Sequence, residues 1–304
     1  MSTPTWADLR ARAERRLRDA GVAAPAADAR WIAEEASGYD GVEFVLGEYE
    51  PATEPATAHL DAMVARRARG EPLQYVIGRW SFLGHDLFVD PRVLVPRPET
   101  EMVATVALQE AERVGARRGR NEPWGGAATT FAAVDLGTGS GAIAIALAAD
   151  LPDAEVWATD VSDDALAVAR ANVAGAGNVA ARIRVASGSW FDALPGRLAG
   201  TLRMVVSNPP YVAEVEVTTL PREVVDWEPR RALVSGPTGM EALEQIVDDA
   251  PRWLDPACGV LVVELAPHQA DAIAARARAA GFAAVSVRQD LAGRDRVLVA
   301  RTTG

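Results

Sequence analysis

Short apolar runs alternate with helical patterns along the second half of the chain, from residue 131 onwards. Each run has the length of a buried strand, and the segments between them, such as 239–253 and 268–280, repeat apolar residues at helical spacing. This alternation is typical of an α/β fold with a doubly wound, mostly parallel sheet. Because the link between the last two runs is short, we predict that these two strands are antiparallel neighbours. The seven predicted strands cover residues 132–136, 156–159, 183–186, 204–206, 261–265, 284–287 and 297–299.

The first part of the chain has a different pattern, in which apolar residues recur at helical spacing. The first such set is Trp6, Leu9, Ala13 and Leu17, and the theme continues at Ala27, Trp31 and Ile32. A plausible hairpin follows, and it turns near Gly84. We therefore predict a small helical domain at 1–75, a β-hairpin linker at 76–98 and a sheet-containing domain at 99–304. Residues 115–130, which are polar and rich in glycine, are predicted to form a loop.

A glycine-rich turn follows the first predicted strand of the sheet. Its residues are Gly137, Thr138, Gly139, Ser140 and Gly141. Glycine at such a turn lets the backbone approach a ligand closely and leaves the amides at the start of the next helix free. The next strand ends at Asp160, whose carboxylate can accept hydrogen bonds from both hydroxyls of a ribose. Strand, glycine turn, helix, strand and acid together indicate a nucleoside-binding βαβ unit.

The same turn has a rival interpretation, because Gly137, Gly139 and Ala142 also fit the dinucleotide pattern of a dehydrogenase. Asp135, directly before the turn, argues against that pattern, since a carboxylate there would repel a pyrophosphate. It suits instead the polar groups of an amino-acid moiety. S-adenosyl-L-methionine is a nucleoside joined to an amino acid through a sulfonium, so the pattern favours this cofactor over a nicotinamide dinucleotide.

The most informative motif follows the fourth predicted strand. Its residues are Asn208, Pro209, Pro210 and Tyr211. Two prolines after a strand remove two backbone donors and force the chain out of the sheet. The carboxamide of Asn208 is thereby presented at the edge where open α/β sheets bind their ligands. It can accept a hydrogen bond from a substrate NH2 while Tyr211 supplies an aromatic wall, which suits methyl transfer to a planar or amide nitrogen.

Composition narrows the class of partner. The net charge is −11, and all 31 basic residues are arginine. Enzymes that bind nucleic acids usually carry a basic surface. A protein substrate without direct nucleic-acid contact is therefore favoured. The absence of an apolar run of ~20 residues predicts no membrane span, and the single cysteine, Cys258, fits a reducing, cytoplasmic compartment. His59, His85 and His268 lack ligand spacing, so we predict no metal site. We also predict a monomer.

Six segments carry a family resemblance, and they are 66–78, 95–101, 135–141, 189–191, 208–211 and 293–296. Together they resemble the glutamine-N5 methyltransferases of peptide-chain release factors, the PrmC/HemK family. Asn-Pro-Pro-Tyr is shared with DNA adenine, rRNA guanine and ribosomal-protein glutamine methyltransferases. The Gly-Glu-Pro of 70–72 and the Pro-Arg-Pro-Glu-Thr of 96–100 are more discriminating, and they resemble the release-factor branch. The N-terminal 65 residues match only as a helical domain.

The resemblance implies a Rossmann-like methyltransferase sheet, a helical domain that binds the substrate, and a set of site residues. The implied S-adenosylmethionine-binding residues are Gly137, Thr138, Gly139, Ser140, Gly141, Asp160, Trp190, Asn208, Arg97 and Thr100. The implied catalytic residues, which complete the amide pocket, are Asn208, Pro209, Pro210 and Tyr211. The implied partner is the Gly-Gly-Gln loop of a release factor. One departure is Ala266, which stands where the family usually has glycine and is expected to place a methyl group near the cofactor.

The chemistry explains these residue types. The nitrogen of a glutamine amide is a poor nucleophile because its lone pair is delocalised into the carbonyl. If Asn208 Oδ1 and the Pro209 carbonyl accept its two N–H bonds, the nitrogen is oriented, and such positioning contributes up to roughly 7–11 kcal/mol in ideal cases. No strong base is needed before the transfer, so we interpret Glu99, Glu101 and Glu264 as structural or cofactor-orienting groups.

The leading hypothesis is methyl transfer to N5 of the glutamine in the Gly-Gly-Gln motif of release factors. A glutamine methyltransferase of a ribosomal protein and a nucleic-acid amino-methyltransferase are alternatives within the same chemistry. A non-catalytic S-adenosylmethionine-binding module that docks on the translation machinery is a rival from another class. It predicts a damaged Asn-Pro-Pro-Tyr motif, and here the motif is intact.

Overall fold

The computed structural model describes residues 3–115 and 131–304. The loop predicted at 115–130 therefore lies, apart from its first residue, outside the described residues. Among the helices of the described ranges, none combines the length and the apolar character that a bilayer crossing requires. The chain divides into two compact units, one formed by Met1–Trp80 with Pro221–Trp227, the other by Ser81–Leu220 with Glu228–Gly304.

The regular elements are defined as follows. The helices are α1 Trp6–Asp19, α2 Pro25–Ser37, α3 Val42–Gly47, α4 Glu54–Ala68, α5 Leu73–Ile77, α6 Pro98–Arg113, α7 Ala142–Asp150, α8 Asp163–Gly175, α9 Arg222–Trp227, α10 Arg230–Leu233, α11 Glu241–Trp253 and α12 Ala270–Ala279. The strands are β1 Arg79–Phe82, β2 His85–Phe88, β3 Phe131–Leu136, β4 Ala154–Asp160, β5 Ile183–Ser187, β6 Met204–Ser207, β7 Val260–Glu264, β8 Ala284–Gln289 and β9 Asp295–Arg301.

The first unit is a helical bundle, as the apolar spacing predicts. Its first helix starts at a capping box, in which the Thr5 side chain accepts from the Asp8 amide and the Asp8 carboxylate accepts from the Thr5 amide. The predicted apolar face of α1 is buried along its whole length. On α2 the expectation holds for Ile32 but not for Trp31, which stays 49% exposed and leans on the Trp80 ring at 6.1 Å.

The helical unit also includes α9, a segment from the second half of the chain. Arg67, a buried arginine of α4, links α9 to this unit. Its guanidinium contacts Asp28 on α2 at 2.6 Å and Glu223 on α9 at 3.1 Å. No pattern in the sequence indicates that α9 belongs to this unit. The three-part division into 1–75, 76–98 and 99–304 stays a prediction.

The predicted hairpin is present and turns where the sequence indicates. Strands β1 and β2 form a two-stranded sheet, joined by Leu83 with φ 47° and Gly84 with φ 81°. Positive φ at both central residues is the requirement of a type I′ turn, whose twist matches that of the flanking strands. Gly84 meets it without strain, whereas Leu83 adopts a conformation that L-residues with a side chain avoid.

The second unit contains the predicted seven-stranded sheet, with strand order β5-β4-β3-β6-β7-β9-β8. Strands β3 to β7 are parallel, and β9 is antiparallel to both of its neighbours. The doubly wound, mostly parallel fold and the antiparallel pair at the end of the chain are both confirmed.

Both faces of this sheet are covered by helices, which explains the continuous apolar runs of its central strands. Side chains of a strand alternate between the faces, so Val206 and Val262 pack into the core beside α6 and α7. Their neighbours Val205 and Val263 pack into the opposite core with α11 and α12. The sheet is thereby held rigidly between two apolar layers.

The strand order reverses at β3, which lies between β4 and β6. In the two ladders, Leu136 of β3 stands opposite Thr159 on one side and Ser207 on the other. The three strands consequently end at the same level, and the turns that follow them emerge side by side. Open α/β sheets bind their ligands at such a switch point.

The ion pair of Glu110 with Arg301 tests how strongly α6 is fastened to the sheet. Its two contacts, at 2.7 and 2.6 Å, join the buried Glu110 carboxylate to the Arg301 guanidinium, which is largely shielded from solvent. Glu110→Ala leaves that guanidinium without its carboxylate, so we expect the free energy of unfolding in urea to fall by ~3–5 kcal/mol. Asp248→Ala is the matched control, because it breaks an equally bidentate but exposed pair with Arg276, worth ~0.2–1 kcal/mol. Equal losses in the two variants would show that burial adds nothing to the contribution of the Glu110–Arg301 pair.

Candidate active site

A cavity of about 740 Å³ lies at the carboxyl ends of the central strands. Pockets for small-molecule ligands and cofactors usually measure ~300–1,000 Å³, so a nucleoside-sized cofactor fits. Its walls come from the turns after β3, β4, β5 and β6, from the loop before α6 and from the start of α10. The lining residues used below are Thr100, Gly137, Thr138, Gly139, Ser140, Asp160, Trp190, Asn208 and Pro210.

The glycine turn after β3 adopts a backbone that only glycine accommodates without strain. Gly137, Gly139 and Gly141 have φ values of 69°, 54° and 84°. A Cβ atom at Gly137 would lie 3.5 Å from the Trp190 ring, an ordinary van der Waals contact, so the positive φ and not crowding by the ring is what favours glycine here. Trp190 itself has φ 46°, a strained value for a residue with a side chain, which is typical of functional sites.

Asp160 closes the turn from the end of β4. Its Oδ2 accepts a hydrogen bond from the Gly139 amide at 3.0 Å, and its Oδ1 accepts one from the Ser162 amide at 2.9 Å. Burial raises the pKa of Asp160, and these backbone N–H groups oppose that effect. A carboxylate offers about four lone-pair sites, so each oxygen keeps room for a further donor. The arrangement fits a pair of ribose hydroxyls.

Asp135 is placed differently from the sequence-based expectation. It is only 1% exposed, and its Oδ2 accepts from the Thr138 hydroxyl at 2.5 Å and from the Ala144 amide at 3.2 Å. Burial raises the pKa of this carboxyl to about 7. The expectation that Asp135 takes polar groups of a ligand is therefore wrong, because alternation along β3 directs it beneath the turn. Its contacts instead join the turn to the first residues of α7.

Asn172 on α8 holds the turn from the other side, a role that no pattern in the sequence indicates. Its Nδ2 donates to the Ser140 carbonyl at 2.8 Å and to the Phe88 carbonyl at 3.0 Å, while its Oδ1 accepts from the Phe88 amide at 2.7 Å. Every atom of this buried carboxamide that can hydrogen-bond has a partner in the protein. The turn is thus preorganised by side chains on both of its faces.

The Asn-Pro-Pro-Tyr motif leaves β6 and is held by a buried network. Asn208 Nδ2 donates to Thr100 Oγ1 at 2.8 Å, and Thr100 Oγ1 contacts Glu264 Oε2 at 3.2 Å. The Tyr211 hydroxyl donates to Glu264 Oε1 at 3.1 Å. Burial raises the pKa of Glu264 to about 7. Burial, followed by the nearby Glu264 charge, also raises the pKa of Tyr211, so this phenol stays protonated.

A second support for the motif comes from Gln269, which sequence reasoning missed. Its Nε2 donates to the carbonyls of Tyr211 and Gly239 at 2.9 and 3.0 Å. Gly239 has φ 78°, and a Cβ there would lie 2.6 Å from the Tyr211 carbonyl oxygen. The backbone of the motif is therefore clamped by contacts to residues that are distant in the sequence, which local pattern cannot reveal.

The structure brings most of the predicted site residues together and leaves some outside the lining. Thr100, Asp160, Trp190, Asn208, Pro210 and residues 137–140 line the cavity, whereas Arg97, Gly141, Pro209 and Tyr211 do not. The Arg97 guanidinium is paired with the buried Glu228 carboxylate. Ala266, which stands where glycine was expected, has an ordinary extended φ of −78° and is also outside the lining. The cofactor and substrate roles of these residues stay predictions.

Two family models match the chain. The PrmC N-terminal domain matches residues 8–78, and the methyltransferase small domain matches residues 127–236. The second match contains the glycine turn, Asp160, Trp190 and the whole Asn-Pro-Pro-Tyr motif. The first match falls within the helical unit, and the second contains most of the residues that line the cavity.

Curated relatives extend over nearly the whole chain. The release factor glutamine methyltransferase of Cereibacter sphaeroides is 39% identical over 94% of this chain and 94% of its own. The protein of the same name from Deinococcus radiodurans is 38% identical over 98% of each chain. The chain belongs to the release factor glutamine methyltransferase family. Membership in this family confirms the resemblance drawn from the six sequence segments.

Solved structures show that the fold of this release factor glutamine methyltransferase family member is more widespread. The N-terminal domain of human METTL16 in complex with SAH aligns with a TM-score of 0.52 at 16% identity. The alignment covers 90% of this chain and 92% of that chain. At this identity the likeness concerns the architecture alone.

The two buried carboxyls make stability dependent on pH in a defined direction. Asp135 and Glu264 have pKa values raised to about 7, from 3.8 and 4.5. At pH values between the unfolded-state and the folded-state pKa of each carboxyl, the folded protein binds more protons than the unfolded protein. The free energy of unfolding therefore falls as pH rises, by roughly 1 kcal/mol per pH unit for each group. We expect the free energy of unfolding in urea to decrease from about pH 5 to about pH 7 and then to level off.

Asp135→Asn removes one of these two groups, and we therefore expect the decrease to be about half as steep in this variant. Asp150→Asn, which neutralises an exposed carboxylate at the end of α7, is the control and should keep the full slope. An unchanged slope in Asp135→Asn, or a wild-type stability that rises across the window, would show that the carboxyl is ionised in the folded protein.

Proposed function

We propose that this protein transfers a methyl group from S-adenosyl-L-methionine to the side-chain N5 of the glutamine in the Gly-Gly-Gln motif of peptide-chain release factors. The observation that carries the proposal is the carboxamide of Asn208, held by Thr100 at 2.8 Å on the wall of a cavity that also contains the glycine turn and Asp160. Family membership supports the substrate class. The proposed compartment is the cytoplasm, where translation takes place, and the proposed form is a monomer.

The residues present fit the proposed cofactor. Gly137 and Gly139 allow close approach of the backbone, the oxygens of Asp160 retain acceptor capacity for two ribose hydroxyls, and the exposed part of the Trp190 ring offers a flat surface for adenine. Bound S-adenosyl-L-methionine would supply an electrophilic methyl group on a sulfonium. The chain's own contribution at this end is to hold the nucleoside in a preorganised turn that is buttressed by Asp135 and Asn172.

At the substrate end, the chain orients a weak nucleophile. Asn208 Oδ1 and the Pro209 carbonyl accept the two N–H bonds of the glutamine amide and thereby aim its lone pair, and such positioning is a major source of rate enhancement. No general base is required, because the amide N–H becomes acidic only as the new N–C bond forms and the S–CH3 bond of the sulfonium breaks, so that the proton can then pass to water. Both oxygens of Glu264 already accept hydrogen bonds from protein hydroxyls, which agrees with an orienting role for this carboxylate.

The helical unit is proposed to dock the release factor. Val42, Val45, Leu46 and Tyr49 lie at the spacing of one helix face along α3 and just beyond it, and they are 75%, 54%, 80% and 75% exposed. Clusters of exposed apolar side chains mark protein interaction sites more often than ordinary surface. The net charge of −11 disfavours nucleic acid as the alternative partner.

The decisive experiment incubates recombinant release factor with this protein and S-adenosylmethionine, followed by intact-mass measurement and peptide mapping. We expect one added methyl group on the Gly-Gly-Gln glutamine and none on a release factor with Gln→Ala at that position. Methylation of a ribosomal protein or a nucleic acid in place of the release factor would assign the chain to one of the alternatives.

Removal of the proposed acceptor should impair turnover rather than cofactor binding. For Asn208→Ala we expect kcat to fall ~100- to 1,000-fold, as for the loss of one preorganised hydrogen-bonding group in an active site. The dissociation constant of S-adenosylmethionine, measured by calorimetry, should change little. Asn178→Ala, which truncates an exposed carboxamide outside the cavity, is the control. Wild-type turnover in Asn208→Ala would refute the mechanism.

The docking role of α3 predicts a separable effect on the protein substrate. Leu46→Glu places a charge in the apolar patch, so we expect KM for the release factor to rise ~10-fold or more. The dissociation constant of S-adenosylmethionine should stay unchanged. Ala58→Glu introduces the same charge at an exposed position of α4 and should leave both quantities unaltered. If both variants changed KM equally, net charge rather than the patch would be responsible.

A further inference from the structure

Asn208 is connected to a carboxylate that substrate cannot reach. Glu264, the last residue of β7, is 1% exposed and does not line the cavity. Its Oε2 contacts Thr100 Oγ1 at 3.2 Å, and Thr100 Oγ1 contacts Asn208 Nδ2 at 2.8 Å. Its Oε1 accepts from the Tyr211 hydroxyl at 3.1 Å. The hydrogen-bonded connections of Glu264 to the Asn-Pro-Pro-Tyr motif therefore run through these two hydroxyls.

The direction of the hydrogen bonds follows from the number of protons. An ionised carboxylate can only accept, and a threonine hydroxyl has a single hydrogen to donate. That hydrogen is directed to Glu264, so Thr100 has only lone pairs left for Asn208. The carboxamide must then turn Nδ2 toward Thr100, which leaves Oδ1 as its acceptor for another donor.

We propose that Glu264 is a positioning residue. It fixes the direction of the relay, meaning the chain of hydrogen bonds from Asn208 through Thr100 to Glu264, so that Asn208 presents Oδ1 and not Nδ2 to the substrate amide. The inference rests on the proposed function, since the orientation matters for a substrate group that donates N–H bonds. A side chain at position 264 that donates a hydrogen bond would reverse the relay. Thr100 could then donate to Oδ1 of Asn208. The carboxamide would present the two N–H groups of Nδ2 to the substrate amide, which is itself a donor, and no hydrogen bond could form between them.

The groups around Glu264 determine the pH range in which it is ionised and the relay has the productive direction. Thr100 and Glu99 face it from α6, Tyr211 from the segment after β6, and Arg296 from β9. Arg296 and the two hydroxyls favour the ionised form, whereas burial and Glu99 disfavour it, and the pKa is raised to about 7. Ionisation increases with pH, so kcat should rise through neutral pH.

The test compares turnover of the full-length variants on release factor. For Glu264→Gln we expect kcat to fall about 100-fold, the usual effect of a misplaced catalytic group, with KM for S-adenosylmethionine nearly unchanged. The wild-type rise of kcat between about pH 6 and pH 8 should be absent in this variant. Thr100→Val should show the same loss, and Thr100→Ser, which restores the hydroxyl, should recover most of it.

Two comparisons separate a relay from loss of stability. If Glu264 acts through Thr100, the double variant Glu264→Gln, Thr100→Val should be no slower than either single variant, because both changes break the same chain of bonds. Glu110→Gln neutralises another buried carboxylate, outside the cavity, and should keep wild-type kcat and its pH profile. Additive losses in the double variant, or an equal loss in Glu110→Gln, would overturn the proposal.

A readout without substrate distinguishes failure of the relay from failure of the proposed function. In the free protein, the side-chain amide signals of Asn208 in heteronuclear NMR should shift between about pH 6 and pH 8 in the wild type and stay constant in Glu264→Gln. Wild-type protein that shows the shift but does not methylate release factor would refute the function alone. A methylating wild type without the shift would refute the relay. If Glu264→Gln does not fold, the wild-type shift and the Thr100 variants decide.

Discussion

The parallel pairing of β3 with β4 on one side and β6 on the other is the constraint on which the site depends. Their ladders end level, with Leu136 opposite Thr159 and Ser207, so that three turns leave the sheet at one edge. Apolar cores on both faces hold this alignment, because a slip of one residue would exchange the two faces of a strand. The glycine turn, Asp160 and Asn208 are therefore brought to one edge by the packing beneath them, and the hydrogen bond from the Gly139 amide to Asp160 then joins the first two directly.

Much of this arrangement could be predicted from the sequence, because the signals are local. The central strands are buried on both faces and read as continuous apolar runs, and the turn after β3 needs glycine at Gly137 and Gly139 for its positive φ. The motif after β6 was found through its two prolines. These local features are sufficient to predict that the cavity lies at the carboxyl ends of the central strands.

The remainder depends on contacts between distant parts of the chain. Gln269 holds the carbonyl of a residue 58 positions earlier, and Asn172 that of a residue 32 positions earlier. A polar side chain that binds backbone carbonyls leaves no periodic pattern. Asp135 misled for a related reason, since nearness to the turn in sequence suggested contact with a ligand, whereas strand alternation buries it. Helix α9 escaped notice because none of its residues is buried.

The two buried carboxyls, Asp135 and Glu264, have the same structural role. Neither Asp135 nor Glu264 lines the cavity, but each accepts a hydrogen bond from the hydroxyl of a threonine that does, Thr138 and Thr100 respectively. Burial of such groups destabilises the fold near neutral pH. The protein tolerates that penalty where the carboxyl orients a functional segment, an exchange of stability for preorganisation that is common at active sites.

The membership of α9 in the helical unit has a consequence for how the protein can be divided. The chain leaves the sheet unit after Leu220, contributes Pro221–Trp227 to the other unit, and re-enters at Glu228, the partner of Arg97. The helical unit is thus assembled from two separate stretches of sequence. A chimera that exchanges the helical unit between enzymes of this family must transplant both stretches, since a cut at a single junction would leave Arg67 without the carboxylate of Glu223.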